Sequence, residues 1–380
     1  MDLLLQELRQ LYPRPQPLAA LGQQLRRQHT TERSIWLLQQ LEMYWDALRL
    51  QAFRDPLPLH FEAQALQMGS RWPLAERRAL ELQARFPEQR LLEIGGGIGG
   101  DTLELGRLRR LRTVEQDDLR REVLRHNLEA TGLTEVEVLG GDGLEQLENA
   151  QVLYADPARR NAKGRQWHDL QPDPSLLWKL DIPTCLKLSP GLDESMLPPD
   201  CDLDYVSHLG VCKEAVVWTP GSGRVRAFLH QPEDWLVAER REPPPVIALE
   251  VGMWVHEPDP AAIRAQAWMP EGGRRIDETL ALLATPPGVH SPWSQVFEVL
   301  EIADADRKNL IRLQKHWDFQ PLEIKKRGFD VEPEELRKKL PRGQAGGAGV
   351  LYLTRTQGRH RALICRRVPR SGLAAPLVVL

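Results

Sequence analysis

The segment Leu91-Leu92-Glu93-Ile94-Gly95-Gly96-Gly97-Ile98-Gly99-Gly100-Asp101 runs an apolar strand directly into a glycine-dense turn, and Thr102-Leu103-Glu104-Leu105 then opens a helix. Glycine lets the backbone take positive φ and lets a ligand approach with no Cβ in the way. The helix N-terminus adds unpaired N–H groups. Gly95, Gly97 and Gly100 satisfy G-x-G-x-x-G, a pattern that is weak alone and that a turn without any ligand also fits.

Outward from this turn, the apolar runs that follow end in acids. Glu115 closes Thr113-Val114-Glu115, about 20 residues beyond Gly95, where a carboxylate can accept both hydroxyls of a ribose. Asp142 follows Val136–Leu139 in Gly140-Gly141-Asp142-Gly143, where a side-chain acceptor can meet an adenine amino group. Asp156-Pro157 follows Val152–Tyr154 at the carboxyl edge, where open α/β sheets bind ligands. Glu93, two residues before the first glycine, can balance a ligand ammonium. Asp101 reads either as a helix N-cap or as a cofactor ligand. Such acids match a phosphate poorly and suit a cofactor carrying a sulfonium and an α-amino group. No Walker lysine follows the glycines, which disfavours a nucleoside triphosphate. A nicotinamide-dependent dehydrogenase would share the turn and Glu115 but leave Asp142 and Asp156-Pro157 unexplained.

The chain has 380 residues, of which 42% are hydrophobic, with a net charge of −3, and this excludes wholesale disorder. It contains no apolar run of membrane-spanning length and no secretory signal pattern. Cys185, Cys201, Cys212 and Cys365 are scattered, so neither a disulfide framework nor a structural zinc site is expected, and a cytoplasmic location is. Residues 1–88 read as a helical segment, with apolar positions at helical spacing from Ile35 to Leu48. From 89 to 242 short apolar runs alternate with amphipathic stretches, the pattern of a mostly parallel, doubly covered α/β sheet. The runs Val206–Cys212, Ala215–Trp218 and Val225–Leu229 lie close together and suit antiparallel pairing at one edge. Pro243-Pro244-Pro245 marks a boundary, and residues 307–380 read as a small α/β domain closing the region 243–380.

Glu93–Gly99, Glu115, Asp142 and Asp156-Pro157 together resemble the class I S-adenosylmethionine-dependent methyltransferases, with the family's first four motifs in order. More narrowly, Asp156-Pro157-Ala158-Arg159-Arg160, Lys187-Leu188-Ser189-Pro190-Gly191, Glu257-Pro258-Asp259-Pro260 and Ile324-Lys325-Lys326-Arg327-Gly328 resemble bacterial members that carry a C-terminal THUMP-like domain. The resemblance covers roughly residues 60–370. It implies a Rossmann-like catalytic domain that binds S-adenosyl-L-methionine through Glu93, Gly95, Gly97, Gly99, Asp101, Glu115 and Asp142. It also implies an RNA substrate, with Asp156 and Pro157 gripping the acceptor. In amino-directed members the fourth motif is Asp/Asn-Pro-Pro-aromatic; here Ala158-Arg159 replaces the last pair, so any stacking would fall to an Arg plane or to Trp167.

Arg159 and Arg160 can contact a substrate anion or form salt bridges on the following helix; Lys187 and Ser189 line the same edge. From Arg307 onward 17 Lys+Arg face 6 Asp+Glu, a net of +11, which leaves −14 for the first 306 residues. The clusters Lys325-Lys326-Arg327 and Arg337-Lys338-Lys339 point to a nucleic-acid backbone. The reading is a methyltransferase of structured RNA such as tRNA or rRNA. A small-molecule methyltransferase and a non-catalytic RNA-binding protein on the same fold remain the alternatives.

Overall fold

Leu91–Ile94 forms strand β1 with all four residues buried. A strand hidden on both faces is what a parallel sheet between helical layers requires. The computed structural model describes residues 2–159, 169–232, 234–344 and 346–369, with the backbone alone at Arg159; Arg160 and Trp167 lie outside the described residues. The chain forms two units. One holds the residues to Asp202 together with Ala215–Gly223, and the other holds Leu203–Glu214 with the residues from Arg224.

The first unit opens with α1 (Leu3–Leu11), α2 (Leu18–Gln28), α3 (Thr31–Leu50), α4 (Ala63–Met68) and α5 (Trp72–Arg85). Prolines 13, 15 and 17 separate α1 from α2 because proline cannot continue a helix. Thr30 caps α3 by accepting from the Arg33 N–H at 3.2 Å, and Gln51 stops it in the left-handed region. After β1 come α6 (Thr102–Leu108), β2 (Leu111–Val114), α7 (Asp118–Ala130), β3 (Val136–Leu139), β4 (Val152–Ala155), the short ribbon β5 (Ala158–Arg159) and β6 (Leu170–Gln171), α8 (Pro174–Leu177) and β7 (Thr184–Leu188). The parallel strands stand in the order β3-β2-β1-β4-β7, and Ala215–Thr219 runs antiparallel along β7. The strand reversal on either side of β1 creates the crevice that doubly wound sheets use for ligands.

The N-terminal helices share a core with the sheet's outer layer. Leu5, Leu8, Leu37, Leu41 and Phe61 pack with Ile98 of the glycine turn, Leu103 of α6, and Leu124 and Leu128 of α7. At the centre of the helical part Arg9 is fully buried. Its Nη1 donates to the carbonyls of Leu57 at 2.6 Å and Leu59 at 2.7 Å, and its guanidinium lies 5.0 Å from the rings of Tyr44 and Phe61. Burial lowers the Arg9 pKa to about 10, so it stays charged and ties the proline-rich 56–59 segment to the helices.

The second unit holds two sets of paired strands. In one, β8 (Asp202–His208) runs parallel to β10 (Val225–His230), and β11 (Trp235–Glu239) lies antiparallel to β10. The run Val206–Cys212, expected as one strand, breaks at Leu209-Gly210, where both residues have positive φ, before β9 (Val211–Thr219) begins. β9 reverses the chain, so β10 follows the direction of β8 instead of opposing it. The other sheet has the order β13-β14-β12-β15-β18-β17-β16. Its strands are β12 (Trp254–Pro258), β13 (Arg274–Arg275), β14 (Leu283–Thr285), β15 (Ser294–Asp304), β16 (Leu322–Lys326), β17 (Gly349–Thr356) and β18 (Arg359–Arg367). The helix α9 (Pro260–Ala265) follows β12. The helices α10 (Arg307–Trp317) and α11 (Pro333–Lys339) pack on one face through Leu310, Leu313 and Leu336, against Ile324, Leu351 and Ile364. The basic segment from Arg307 thus completes a sheet whose strands β12 and β15 lie upstream.

Replacing Arg9 with Met removes the donor for the Leu57 and Leu59 carbonyls. At about 1–3 kcal/mol for each unsatisfied group, the variant is expected to lose about 2–6 kcal/mol, read as a lower urea midpoint.

Candidate active site

The strand register brings the sequence motifs together. Ile94 pairs with Val114 on one side and Ala155 on the other, and Ala155 pairs with Leu186. The next residue of each strand is therefore level: Gly95, Glu115, Asp156 and Lys187. A cavity of about 160 Å³ opens there. Glu93, Gly95, Gly97, Asp101, Glu115, Asp142 and Asp156 all line it, together with Phe53, Leu66, Met68 and Ser70 from the segment before α5.

The turn has the conformation its composition suggests. Gly95, Gly97 and Gly99 have φ of 91°, 59° and 102°. At Gly97 a side chain would be strained and would point into open space, whereas at Gly96 a Cβ would lie 2.4 Å from Thr113 Oγ1. Glu115 fixes the turn from the neighbouring strand: Oε2 accepts the Gly97 N–H at 2.7 Å and Oε1 accepts the Asp117 N–H at 2.9 Å. Each oxygen keeps a second lone pair for a ligand hydroxyl. Asp142 accepts the Leu144 N–H at 2.9 Å, which orients its carboxylate in the Gly141–Gly143 wall.

Beneath the turn lies a buried set of charges. Asp101 occupies the N-cap position of α6 but makes no capping bond. Its carboxylate instead accepts from the Ser70 hydroxyl at 2.7 Å and pairs with Arg78. The capping role expected from sequence is thus displaced by a buried guanidinium, a stronger partner than a backbone N–H. Burial raises the Asp101 pKa, but Arg78 and Lys187 more than offset this and hold it below the usual carboxylate range. The Lys187 ammonium pairs with Asp156 and donates to Ser70 Oγ at 2.9 Å. Arg78, itself 1% exposed, also donates to Ser70 Oγ, at 2.7 Å.

Two cations therefore answer two carboxylates, Asp101 and Asp156. Glu93, 1% exposed, is the third acid, and its Oε2 accepts from the Thr102 hydroxyl at 2.7 Å. Burial, with added repulsion from Asp101 and Asp156, pushes its pKa up to about 8. The cleft thus holds a neutral acid that a cationic ligand can ionise.

Ser70 and Arg78 are absent from the sequence reading, because nothing local marks the α4–α5 segment as meeting the sheet edge. Ser189 accepts weakly from the Gly191 N–H at 3.4 Å in the turn after β7 and does not line the cavity. Lys325, Lys326 and Arg327 belong to β16 and the turn after it, in the second unit.

Over 302 residues the chain is 30% identical to an uncharacterized S-adenosylmethionine-dependent methyltransferase of Mycobacterium tuberculosis strain H37Rv, spanning 74% of this chain and 80% of the relative. The chain belongs to the S-adenosylmethionine-dependent methyltransferases. An identically named protein of Mycobacterium tuberculosis strain CDC 1551 matches with the same values. The methyltransferase also shares its fold with a putative methyltransferase of Porphyromonas gingivalis W83, at 20% identity and a TM-score of 0.74, covering 97% of this chain and 98% of that one. Residues 294–367 match the family described as THUMP domain-like.

S-adenosylmethionine is the cofactor of this methyltransferase family, and the cleft suits it. The turn at Gly95–Gly97 offers space a Cβ would fill, and the facing wall is acidic rather than basic.

The THUMP-like domain of the methyltransferase is less basic than its tail. Between residues 294 and 367 there are 16 Lys+Arg and 10 Asp+Glu, a net of +6. Upstream acids hold several of the cations. Glu257 of β12, buried, takes Lys325 at 2.7 Å and Arg327 at 2.6 Å, while Glu301 takes Arg312 at 2.7 Å and Asp304 takes Arg361 at 2.6 Å. Two motifs distant in sequence, Glu257-Pro258 and Lys325-Lys326-Arg327, thus meet as one ion-paired cluster. Among the described residues Lys315, Lys338, Lys339 and Arg342 are exposed and form no ion pair.

The Glu93 geometry sets a pH dependence. In the free protein the folded state keeps a proton that the unfolded chain releases above about 4.5, so this group's stability contribution falls as pH rises toward about 8. A cationic ligand reverses the preference and expels the proton. Affinity for S-adenosylmethionine should therefore rise from pH 6 to about 8 and then level, and Glu93→Gln should flatten the profile. Calorimetry in two buffers of different ionisation heat measures both the affinity and the released proton.

Proposed function

We propose that this methyltransferase modifies structured RNA, tRNA or rRNA, in the cytoplasm. The observation that carries the reading is a THUMP domain-like region with a net charge of +6, joined in one chain to an acid-lined cofactor cleft. When bound, S-adenosylmethionine supplies a methyl carbon already activated by its sulfonium. The residues then have to bind, orient and accept a proton or hydrogen bond.

In this reading Glu115 accepts the ribose hydroxyls and Asp142 the adenine amine. Gly95 and Gly97 give the nucleoside room and Gly99 lets the turn close against Leu103 and Leu124, while Glu93 and Asp101 face the amino-acid end. Asp156 grips the acceptor together with the Pro157 carbonyl: Lys187 engages Oδ2, and Oδ1 serves the acceptor. Substrate contact is assigned to Arg159, Arg160, Lys187 and Ser189 from their sequence positions after β4 and at the end of β7. On the basic domain Lys325, Lys326 and Arg327 contribute positive field. The unpaired lysines of α10 and α11 make the phosphate contacts, because a cation already matched to a buried acid has less to gain from a phosphate.

Incubating the full-length protein with methyl-labelled cofactor and, separately, total RNA, protein extract and metabolites should place label in RNA. Label confined to metabolites overturns the reading. Asp156→Ala should abolish transfer while S-adenosylhomocysteine still binds. Lys338→Ala with Lys339→Ala should weaken RNA binding and lower the slope of log affinity against log salt by about 1–2, since each phosphate contact contributes roughly 0.9.

A further inference from the structure

Ser70 lies between α4 and α5, away from the strand ends that carry the acids, and it is 6% exposed. A hydroxyl offers one proton and two lone pairs. In Ser70 all three are engaged: Oγ accepts from Arg78 Nη2 at 2.7 Å and from Lys187 Nζ at 2.9 Å, and it donates to Asp101 Oδ2 at 2.7 Å. A hydroxyl so saturated has a single orientation.

Lysine carries its ammonium on a flexible four-carbon stem, so one carboxylate alone does not fix it. The Lys187 side chain is 13% exposed and touches Asp156 from behind the cavity wall, while the Asp156 side chain keeps 35% of its surface exposed. Ser70 is thus a second anchor, beside Asp156, of the ammonium that holds the Asp156 carboxylate. We propose that Ser70 is a positioning residue for methyl transfer: it fixes Lys187 on Asp156, so that Asp156 presents one oxygen to the acceptor at a set place. The inference rests on the acceptor role assigned to Asp156 above. It gives the segment before α5 a part in the transfer step, in addition to covering the cofactor cleft.

Removing the hydroxyl leaves the ion pairs Arg78–Asp101 and Lys187–Asp156 in place. The fold and the cofactor side should therefore persist, while the Lys187–Asp156 unit loosens.

The test compares full-length wild type, Ser70→Ala and Ser70→Thr in three measurements: label transfer from methyl-labelled S-adenosylmethionine to total RNA, S-adenosylhomocysteine affinity by calorimetry, and acetic anhydride labelling of Lys187 by mass spectrometry. Ser70→Ala should lose about ten-fold or more in turnover at saturating cofactor, the usual effect of one charge-assisted hydrogen bond, with a much smaller loss of S-adenosylhomocysteine affinity, since Ser70 also lines the cleft and bonds Asp101. Lys187 acetylation should rise several-fold relative to the other lysines, and Ser70→Thr should restore both readouts. Unchanged turnover and unchanged Lys187 acetylation overturn the proposal, and so does a loss of turnover matched by an equal loss of S-adenosylhomocysteine affinity. If wild type labels no RNA, the RNA reading falls by itself, and the Lys187 acetylation ratio decides the role of Ser70.

Discussion

The Glu115 carboxylate holds the site together by taking the backbone N–H of Gly97 with one oxygen and that of Asp117 with the other. The first bond pins the glycine turn to the end of β2, and the second sets the entry to α7. Because β1 and β2 are parallel and in register, this clamp decides where the turn sits relative to Asp156 on the far side of β1. Gly95–Gly97 bring no side chains to pack. Their shape comes from the Gly95 and Gly96 N–H groups donating to the Val114 carbonyl and from the charge-assisted bond that Glu115 adds at Gly97.

Charge balance is the second constraint. Asp101 and Asp156 come close enough to need cations, and Arg78 and Lys187 supply them within the protein. Glu93 receives hydroxyls, from Thr102 and Thr113, in place of a cation and stays protonated near neutrality. The cluster of these five residues is neutral when empty and becomes negative when a positive ligand arrives. That suits a sulfonium with an ammonium and repels a triphosphate. A partial matching of charges recurs in the THUMP-like domain, where the single carboxylate of Glu257 pairs with both Lys325 and Arg327.

Much of the fold and half of the site were legible in the sequence because they are local. The run from Leu91 into the glycines, the spacing to Glu115, and the strand-end positions of Asp142 and Asp156 need only strand period and chain order. Three features were not legible, each for a tertiary reason. Ser70 and Arg78 matter only because α5 brings them under Asp101, and the helix-start pattern at Asp101 read as capping because its competing guanidinium was out of view. Nothing local marks Arg9 for burial, because the 56–59 carbonyls that surround it come from far along the chain. The +11 of the tail overstated the basic character of the domain, since the window from Arg307 cut the sheet between β15 and its partner strands and left Glu298, Glu301 and Asp304 on the other side.

The account stands or falls on whether the acidic rim beside the glycine turn receives the cofactor. The most direct measurement is a crystal structure of the full-length protein with S-adenosylhomocysteine. The expected result is a ligand with its ribose hydroxyls on Glu115, its adenine toward Asp142 and its amino group toward Glu93 and Asp101. A ligand seated away from Gly95–Gly97, or one whose ribose avoids Glu115, would contradict the assignment.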